Sequence, residues 1–133
     1  MFIYPNKYEE VGLSHNPFKA IVSPRPIGWI STRSSDGHLN IAPYSFFNAI
    51  SEQPPMVMFS SAPKKEGQIG KDSLLNIKDT KEFVVNIVSH SLREKMNITS
   101  KNYAREINEF EKAGIATGQS KTVSVPYVKF APA

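Results

Sequence analysis

The chain of 133 residues contains no cysteine, and this absence excludes several kinds of chemistry. Without thiols there are no disulfide bonds, no cysteine nucleophile and no zinc or iron–sulfur site held by thiolates. Long apolar runs are also missing, since none approaches the roughly 20 residues that a membrane-spanning helix needs. The N-terminus lacks a basic stretch followed by an apolar one. We therefore expect no membrane association and a cytoplasmic location.

Motifs of the common catalytic sites are absent as well. The three histidines are scattered without an HExxH zinc motif, and neither paired carboxylates nor a nucleophile–base pair stands out. The phosphate-binding patterns GxGxxG and Walker A do not occur. A protein without reactive side chains of its own is consistent with a cofactor that carries the chemistry while the protein orients it. We predict no catalytic side chain and no metal site.

Charge is moderately positive, with 16 lysines and arginines against 12 acidic residues. The cations are spread along the chain and form no basic arm, because Lys64 and Lys65 are the only adjacent pair. This pattern argues against nucleic acid as a partner. A few well-placed cations serve an anionic small molecule, such as a phosphorylated cofactor, equally well.

Length and composition indicate one globular domain. A chain of 133 residues closes one modest core, and 40% apolar with 21% charged residues is ordinary for a soluble fold. Residues 1–17 are mixed and polar and predict an N-terminal arm that crosses the surface. We therefore expect a single domain over residues 1–133.

Residues 22–48 predict two strands joined by a tight turn. Apolar residues on both sides of Asp36-Gly37 are typical of a hairpin, because glycine tolerates positive φ. Alternation along the first strand places Trp29 and Ser31 on one face and Ile30 and Thr32 on the other. Pro43 lacks a backbone donor, so the second strand must be an edge strand or bulged there.

Several separated motifs resemble one known family. They are PRPIGWIST, the sequence APYSFFN, a strand after Pro54-Pro55 that ends in paired serines, and KDS with an asparagine three residues later. In this order they resemble the flavin reductase-like family of FMN-binding split barrels, with flavoredoxin-like and nitrilotriacetate monooxygenase component B-like members. The similarity extends from about residue 18 to about residue 130.

The resemblance implies a fold, a cofactor and a reaction. The fold is mainly β with short helices, a split β-barrel of Greek-key type, and we expect its C-terminal strands to lie beyond the end of this chain. The implied cofactor is FMN, and the implied reaction is hydride transfer from NADH or NADPH to the flavin. A homodimer and a monooxygenase that receives reduced flavin are the implied protein partners.

The resemblance also indicates which residues bind the cofactor. They are Arg25, Pro26, Thr32, Tyr44, Ser45, Phe46, Phe47, Asn48, Ser60, Ser61, Lys71, Asp72 and Ser73. Arg25 lies in a stiff kink between two prolines, where it is either a solvated turn charge or a ligand for a phosphate or a flavin edge. Asp72 or Ser73 can cap a short helix at residues 74–78, whose start favours a phosphate. For Asp72, capping alone is an equally good explanation.

The remaining elements are predicted from local patterns. Strands are expected at residues 18–22, 56–59, 81–88, 122–125 and 127–130, with 56–59 buried on both faces because it is continuously apolar. Ser91 and Glu94 have capping-box spacing for a helix start, and a second helix is expected at 106–113. Residues 62–70 are basic and glycine-containing and predict a flexible loop that serves as a lid.

Three other functions remain open at this point. A flavin-binding electron carrier would bind FMN but oxidise reduced nicotinamide slowly. An FMN-dependent oxidase of a related split-barrel type would have its flavin reduced by another substrate. A nucleic-acid-binding barrel would bind no flavin, and its binding would depend steeply on salt.

Overall fold

The computed structural model describes residue 4, residues 7–61 and residues 70–133. In these parts the chain forms seven strands: β1 Gly28–Arg33, β2 Leu39–Tyr44, β3 Phe47–Ser51, β4 Met56–Phe59, β5 Val84–Ile87, β6 Thr117–Gly118 and β7 Tyr127–Val128. Four helices are described: α1 Phe18–Ile21, α2 Asp72–Thr80, α3 Arg93–Ile98 and α4 Glu109–Lys112. Short 3-10 turns lie at Tyr8–Val11 and His90–Leu92.

The predicted hairpin forms the centre of the fold. β1 and β2 pair antiparallel along their whole length, and Gly37 in the connecting turn has a φ of 97°. β5 pairs antiparallel with the other side of β1, so the strand order is β2-β1-β5. β2 therefore lies at the edge of this sheet, which accommodates Pro43 as predicted.

The two faces of β1 pack against different parts of the chain. Trp29 is fully buried in the core, and its indole N–H donates to the Thr99 hydroxyl at 2.9 Å. On the same face the Ser31 hydroxyl donates to a carbonyl of the C-terminal segment at 2.8 Å. On the opposite face Thr32 accepts a hydrogen bond from α2 at 3.1 Å. The predicted alternation of faces is confirmed.

The main core lies between β1, β2 and the helices of the second half of the chain. Its buried members are Trp29, Ile41, Leu92, Phe110, Ala113, Ile115 and Val128. Val88 and Met96 are partly buried against it. Burial of a large aliphatic or aromatic side chain contributes about 1.5–3 kcal/mol, so this cluster holds the central sheet to α3 and α4.

Asn86 is a polar residue inside this core, and the structure explains its presence. Its amide donates to the Trp29 carbonyl at 2.9 Å and to the Ser31 hydroxyl at 3.2 Å. Its oxygen accepts from the backbone N–H of Val128 at 2.7 Å. One buried side chain thus joins β5, β1 and β7, three segments that are far apart in sequence.

β3 and β4 form a separate antiparallel hairpin. The bounds of the strand predicted at 56–59 are confirmed, but the prediction that it is buried on both faces is wrong. Met56, Val57 and Met58 are 43–50% exposed, and Ile50 of β3 is 58% exposed. A continuous apolar run predicts that a strand is hydrophobic. It does not show whether another part of the chain packs against each face, so it cannot distinguish a buried strand from an exposed one.

The strand predicted at residues 18–22 is wrong, because Phe18–Ile21 forms helix α1. Pro17 already has α-helical φ and ψ, and the Asn16 side chain accepts a hydrogen bond from the Phe18 N–H at 3.0 Å. These two residues start a helical turn and override the β preference of the following residues. The side chains of Phe18 and Ile21 remain more than half exposed.

The predicted helices exist, but their starts differ from the predictions. α2 begins at Asp72 and not at residue 74, and its N-cap residue Lys71 makes no capping hydrogen bond within the described structure. The predicted capping box at Ser91 is wrong, because Ser91 lies inside a 3-10 turn and α3 begins at Arg93. The Ser91 hydroxyl instead lies 2.9 Å from the hydroxyl of Ser89.

The last helix and the C-terminal strands are shorter than predicted. α4 begins at Glu109, where the Asn108 side chain accepts from the Phe110 N–H at 3.1 Å, and not at residue 106. Residues 122–125 form no strand, because the Ser124 N–H donates to Glu82 at 2.9 Å and not to a neighbouring strand. Only Tyr127–Val128 of the final predicted strand pairs, with β6.

The described residues form a mainly β structure with short helices, in agreement with the coarser part of the predicted fold class. Their strands fall into three separate sheets, of three, two and two strands. The Greek-key connection and the additional C-terminal strands remain predictions. Among the helices of the described segments, none has the length and apolar character needed to cross a membrane.

Candidate functional site

The chain turns sharply between β2 and β3, and we call residues 44–47 the corner. The Tyr44 ring, only 4% exposed, packs 4.8 Å from the ring of Phe59. Phe47 covers Gly28, where an added Cβ would lie 2.7 Å from the Phe47 ring. The carbonyl of Phe46 accepts a hydrogen bond of 2.9 Å from the backbone that follows β4. The corner is therefore held at both ends by packing and in the middle by a hydrogen bond.

A cleft with mainly apolar walls opens at the corner, and we call it the apolar cleft. Seven residues predicted to bind the cofactor line it: Arg25, Pro26, Ser45, Phe46, Phe47, Asn48 and Ser60. The walls are completed by four residues that the sequence did not assign to the site: Phe18, Val22, Pro24 and Met58. The Phe18 ring meets the Phe46 ring edge-on at 6.1 Å. Helix α1 thus contributes to a wall of the apolar cleft. The sequence analysis missed this contribution because it predicted a strand at 18–22.

Arg25 is tied to the backbone of helix α1 in place of the free turn charge that was one alternative, and its predicted contact with a cofactor remains a prediction. Its guanidinium donates to the carbonyls of Lys19 and Val22, the latter at 2.8 Å, and so satisfies the C-terminal end of α1. The guanidinium carbon also lies 5.8 Å from the centre of the Phe46 ring. Its Nε atom is buried and has no hydrogen-bond partner among the described residues. Arg25 therefore places a positive charge in the wall of the apolar cleft.

A second cleft adjoins the corner at Tyr44, and we call it the polar cleft. It lies between β2, the start of α2 and residues 99–103. Four further residues of the predicted site line it: Tyr44, Lys71, Asp72 and Ser73. The Lys71 ammonium group lies 5.3 Å from the centre of the Tyr44 ring. The aromatic ring thus holds a lysine at the mouth of the cleft.

A buried polar network forms the base of the polar cleft. In the amide orientation that satisfies all its neighbours, Asn40 donates to the Glu109 carboxylate at 3.1 Å and accepts from the Ser73 hydroxyl at 2.8 Å. The other carboxylate oxygen of Glu109 lies 3.3 Å from the Ile41 N–H. Ser73 and Glu109 are 1% and 7% exposed. The Ser73 hydroxyl thus holds α2 to β2 in this structure, while its predicted contact with a phosphate remains a prediction.

Helix α2 is also held by a residue that the sequence analysis missed. Arg105 lies 3.3 Å from the Asp72 carboxylate and donates to the Asn76 side-chain oxygen at 3.1 Å. The prediction that Asp72 or Ser73 caps α2 is therefore wrong: Asp72 lies inside the first turn and pairs with an arginine 33 positions away. No local pattern around Arg105 indicates this contact, because both partners are distant in sequence.

Two residues of the predicted site lie away from the clefts. Thr32 is fully buried beneath α2, where its hydroxyl accepts from Asn76 at 3.1 Å. The Ser61 hydroxyl is buried and has no hydrogen-bond partner among the described residues. Their contact with a cofactor remains a prediction. The lid predicted at residues 62–70 falls, except for Gly70, outside the described residues.

The arrangement suits binding more than acid–base or metal chemistry. Aromatic side chains line the clefts, and Arg25 and Lys71 supply positive charge on the two sides of the corner. In the segments that the structure describes, no group of three His, Asp or Glu side chains lies close enough to bind a metal ion. Such a surface accommodates a planar ring system with an anionic substituent.

A curated relative extends over most of the chain. An uncharacterised protein of Aquifex aeolicus is 51% identical over 109 residues, which are 82% of this chain and 55% of that protein. The chain spans about half the length of the curated relatives it matches, including a Deinococcus radiodurans protein that is 42% identical and covered over 52% of its length.

The fold is similar to solved structures and matches one family model. Nitrilotriacetate monooxygenase component B from Bacillus cereus has a TM-score of 0.84 at 32% identity, over 98% of this chain and 63% of that chain. The model of the flavin reductase like domain matches residues 22–133. These findings confirm the resemblance drawn from the sequence motifs. The chain belongs to the flavin reductase-like domain family.

Proposed function

We propose that the chain binds FMN at the corner and acts as a flavin reductase that takes hydride from NADH or NADPH. One observation carries the proposal. Residues from four separate segments, around positions 25, 45, 60 and 72, converge on two adjoining clefts at one turn of the chain. Family membership supports a flavin-related function, and the named relative supports an oxidoreductase.

The side chains of the two clefts fit a flavin nucleotide. The apolar cleft offers the Phe46 ring and the buried Nε of Arg25 to a planar ring with polar edges. The polar cleft offers the Lys71 ammonium group and the start of a nine-residue helix, where backbone N–H groups and the helix dipole favour an anion. We therefore propose that the ring occupies the apolar cleft and that the phosphate lies near Lys71.

Bound FMN supplies a ring that accepts a hydride, while the chain supplies position and charge. The packed corner fixes the backbone of Ser45 and Phe46, so its polar groups need no reorganisation when they meet a ligand. Arg25 and Lys71 offset the negative charge of a nucleotide. The apolar walls exclude water from the reacting face and hold two planar partners together, which is the main contribution expected of a protein without its own reactive groups.

The proposal is tested by titrating the protein with FMN while following flavin fluorescence. Lys71→Ala should weaken FMN binding by on the order of tenfold, because a unit charge near a partly exposed phosphate is removed. Ser45→Ala should also weaken FMN binding, because it removes a hydroxyl group from the corner, where Ser45 lines the apolar cleft. Lys129→Ala is a matched control: Lys129 lies 5.9 Å from the Phe130 ring, a similar lysine–aromatic pair outside the two clefts.

Two results would contradict the proposal. Absence of saturable FMN binding by the folded protein would refute the flavin site. Equal losses for Lys71→Ala and Lys129→Ala would show that the polar cleft is not where the phosphate lies. If FMN binds, steady-state oxidation of NADH and NADPH with excess free flavin distinguishes a reductase from an electron carrier, which would turn over slowly.

A second candidate function is reduction of an organic acceptor by the bound flavin. The 2-nitrobenzoate 2-nitroreductase of Pseudomonas fluorescens is 31% identical, with a TM-score of 0.77 over 99% of this chain and 61% of that chain. Its similarity is close to that of the monooxygenase component. Comparing the rates with free flavin and with a nitroaromatic acceptor discriminates between the two functions.

The proposal includes a homodimer and a monooxygenase that receives reduced flavin. The exposed apolar residues of the β3–β4 hairpin, Ile50, Met56, Val57 and Met58, support a protein interface. Met58 also lines the apolar cleft, so such an interface would lie next to the proposed flavin ring. Sedimentation of the protein with and without FMN tests the dimer, and a purely monomeric protein would exclude it.

A further inference from the structure

Arg105 contacts two side chains of α2, those of Asp72 and Asn76. It lies in the segment between α3 and α4, 3.3 Å from the Asp72 carboxylate, and its other guanidinium nitrogen donates to Asn76 at 3.1 Å. The Asp72 side chain is only 17% exposed and that of Arg105 is 40% exposed, so this ion pair is partly shielded from solvent. Partial burial strengthens the electrostatic effect of such a pair.

The contact continues into the centre of the fold. Asn76, 2% exposed, receives the Arg105 hydrogen bond on its oxygen and donates from its nitrogen to the Thr32 hydroxyl of β1 at 3.1 Å. The pKa of Asp36 in the β1–β2 turn is lowered, chiefly by a hydrogen bond from Ser34, and the charge of Arg105 is the smallest of the contributing causes.

Charge at the start of α2 presents a conflict that Arg105 resolves. Lys71 and the helix dipole favour an anion there, but the Asp72 carboxylate repels one at the same place. The guanidinium of Arg105 offsets the charge of Asp72 from the side of residues 99–108. Removing the Arg105 guanidinium would therefore increase the repulsion between the Asp72 carboxylate and an anion beside Lys71.

We infer that Arg105 is a positioning residue that makes the polar cleft selective for a phosphorylated flavin over an unphosphorylated one. It neutralises Asp72 and, through Asn76 and Thr32, holds the first turns of α2 on β1. The inference rests on the proposed function, because it assigns the phosphate of FMN to the start of α2.

The experiment compares FMN with riboflavin, which lacks the phosphate. Dissociation constants are measured by flavin fluorescence for the wild type, Arg105→Gln and Arg105→Lys. Glutamine retains a donor for Asn76 but removes the charge, whereas lysine retains the charge. Arg93→Gln is the matched control, because Arg93 is an exposed arginine paired at 3.3 Å with Glu94 in α3. Thermal unfolding of each variant verifies folding.

Arg105→Gln should weaken FMN binding on the order of tenfold and change riboflavin binding less than about twofold. Arg105→Lys should retain most of the preference for FMN, and Arg93→Gln should leave both affinities unchanged. Adding Asp72→Asn to Arg105→Gln should restore FMN binding, because the negative charge that Arg105 offsets in the wild type is removed as well. This rescue would not occur if Arg105 only stabilised the fold.

Two results would overturn the inference. An unchanged ratio of the FMN and riboflavin affinities in Arg105→Gln, whether or not both are weakened, would show that Arg105 does not favour the phosphate. Absence of rescue by Asp72→Asn would show that the charge of Arg105 does not act by offsetting Asp72. In these cases the wild type still binds FMN and the proposed function stands. A wild type that binds neither flavin would contradict both.

Discussion

Replacing Asn86 with leucine should destabilise the protein by about 2–6 kcal/mol. Leucine has the same number of side-chain heavy atoms and the same branching, so no cavity forms and the loss arises mainly from hydrogen bonds. The Val128 N–H and the Trp29 carbonyl lose bonds of 2.7 and 2.9 Å inside the core. Each buried group left without its partner costs about 1–3 kcal/mol. The Ser31 hydroxyl also loses its contact with Asn86 but retains its 2.8 Å hydrogen bond to the C-terminal segment, so it adds little to the loss of stability.

The loss is large compared with the free energy of unfolding of a typical domain, about 5–15 kcal/mol. Urea denaturation followed by the fluorescence of Trp29 measures it directly, since this buried side chain is the only tryptophan. Asn97→Leu, on an exposed face of α3, is the control and should change stability by less than about 0.5 kcal/mol. A loss below about 1 kcal/mol for Asn86→Leu would refute the assignment of Asn86 as the residue that joins three segments.

Two further substitutions test the corner and the charge of a surface contact. Gly28→Ala should cost about 1–3 kcal/mol and weaken FMN binding in the fluorescence titration, because a Cβ 2.7 Å from the ring forces Phe47 to move. Gly118→Ala is the control, because its added Cβ would also meet an aromatic ring, that of Tyr127, but outside the two clefts; it should leave FMN binding unchanged, and equal FMN losses would contradict the role of the corner. Hydrogen bonds from the Ser124 side chain and backbone lower the pKa of Glu82, so its carboxylate contributes stability above its ordinary value of 4.5 that is lost as the pH falls through the lowered value. The stability difference between wild type and Glu82→Gln in urea should therefore be larger at about pH 7 than at about pH 3, and a difference independent of pH would contradict this.

Features that depend on residues adjacent in sequence were predicted well. The turn at Gly37, the edge position of the strand that contains Pro43 and the bounds Met56–Phe59 follow from backbone restrictions and local hydrophobicity. The family was also recognised from short motifs. Predictions of helix starts were poorer, because several polar residues near each start compete to cap it and the structure selects among them.

The sequence by itself determined the family, the central hairpin and the set of residues that we propose to bind the cofactor. Only the tertiary structure decided how these residues are held. Arg105 contacts Asp72, 33 residues away, and Glu109 accepts from the Ile41 N–H, 68 residues away. It also decided that β4 is exposed and that Phe18 lies in a helix at the apolar cleft. The physical reason is that glycine, proline and alternation restrict the local backbone, whereas burial and the pairing of polar groups depend on segments that meet only after folding.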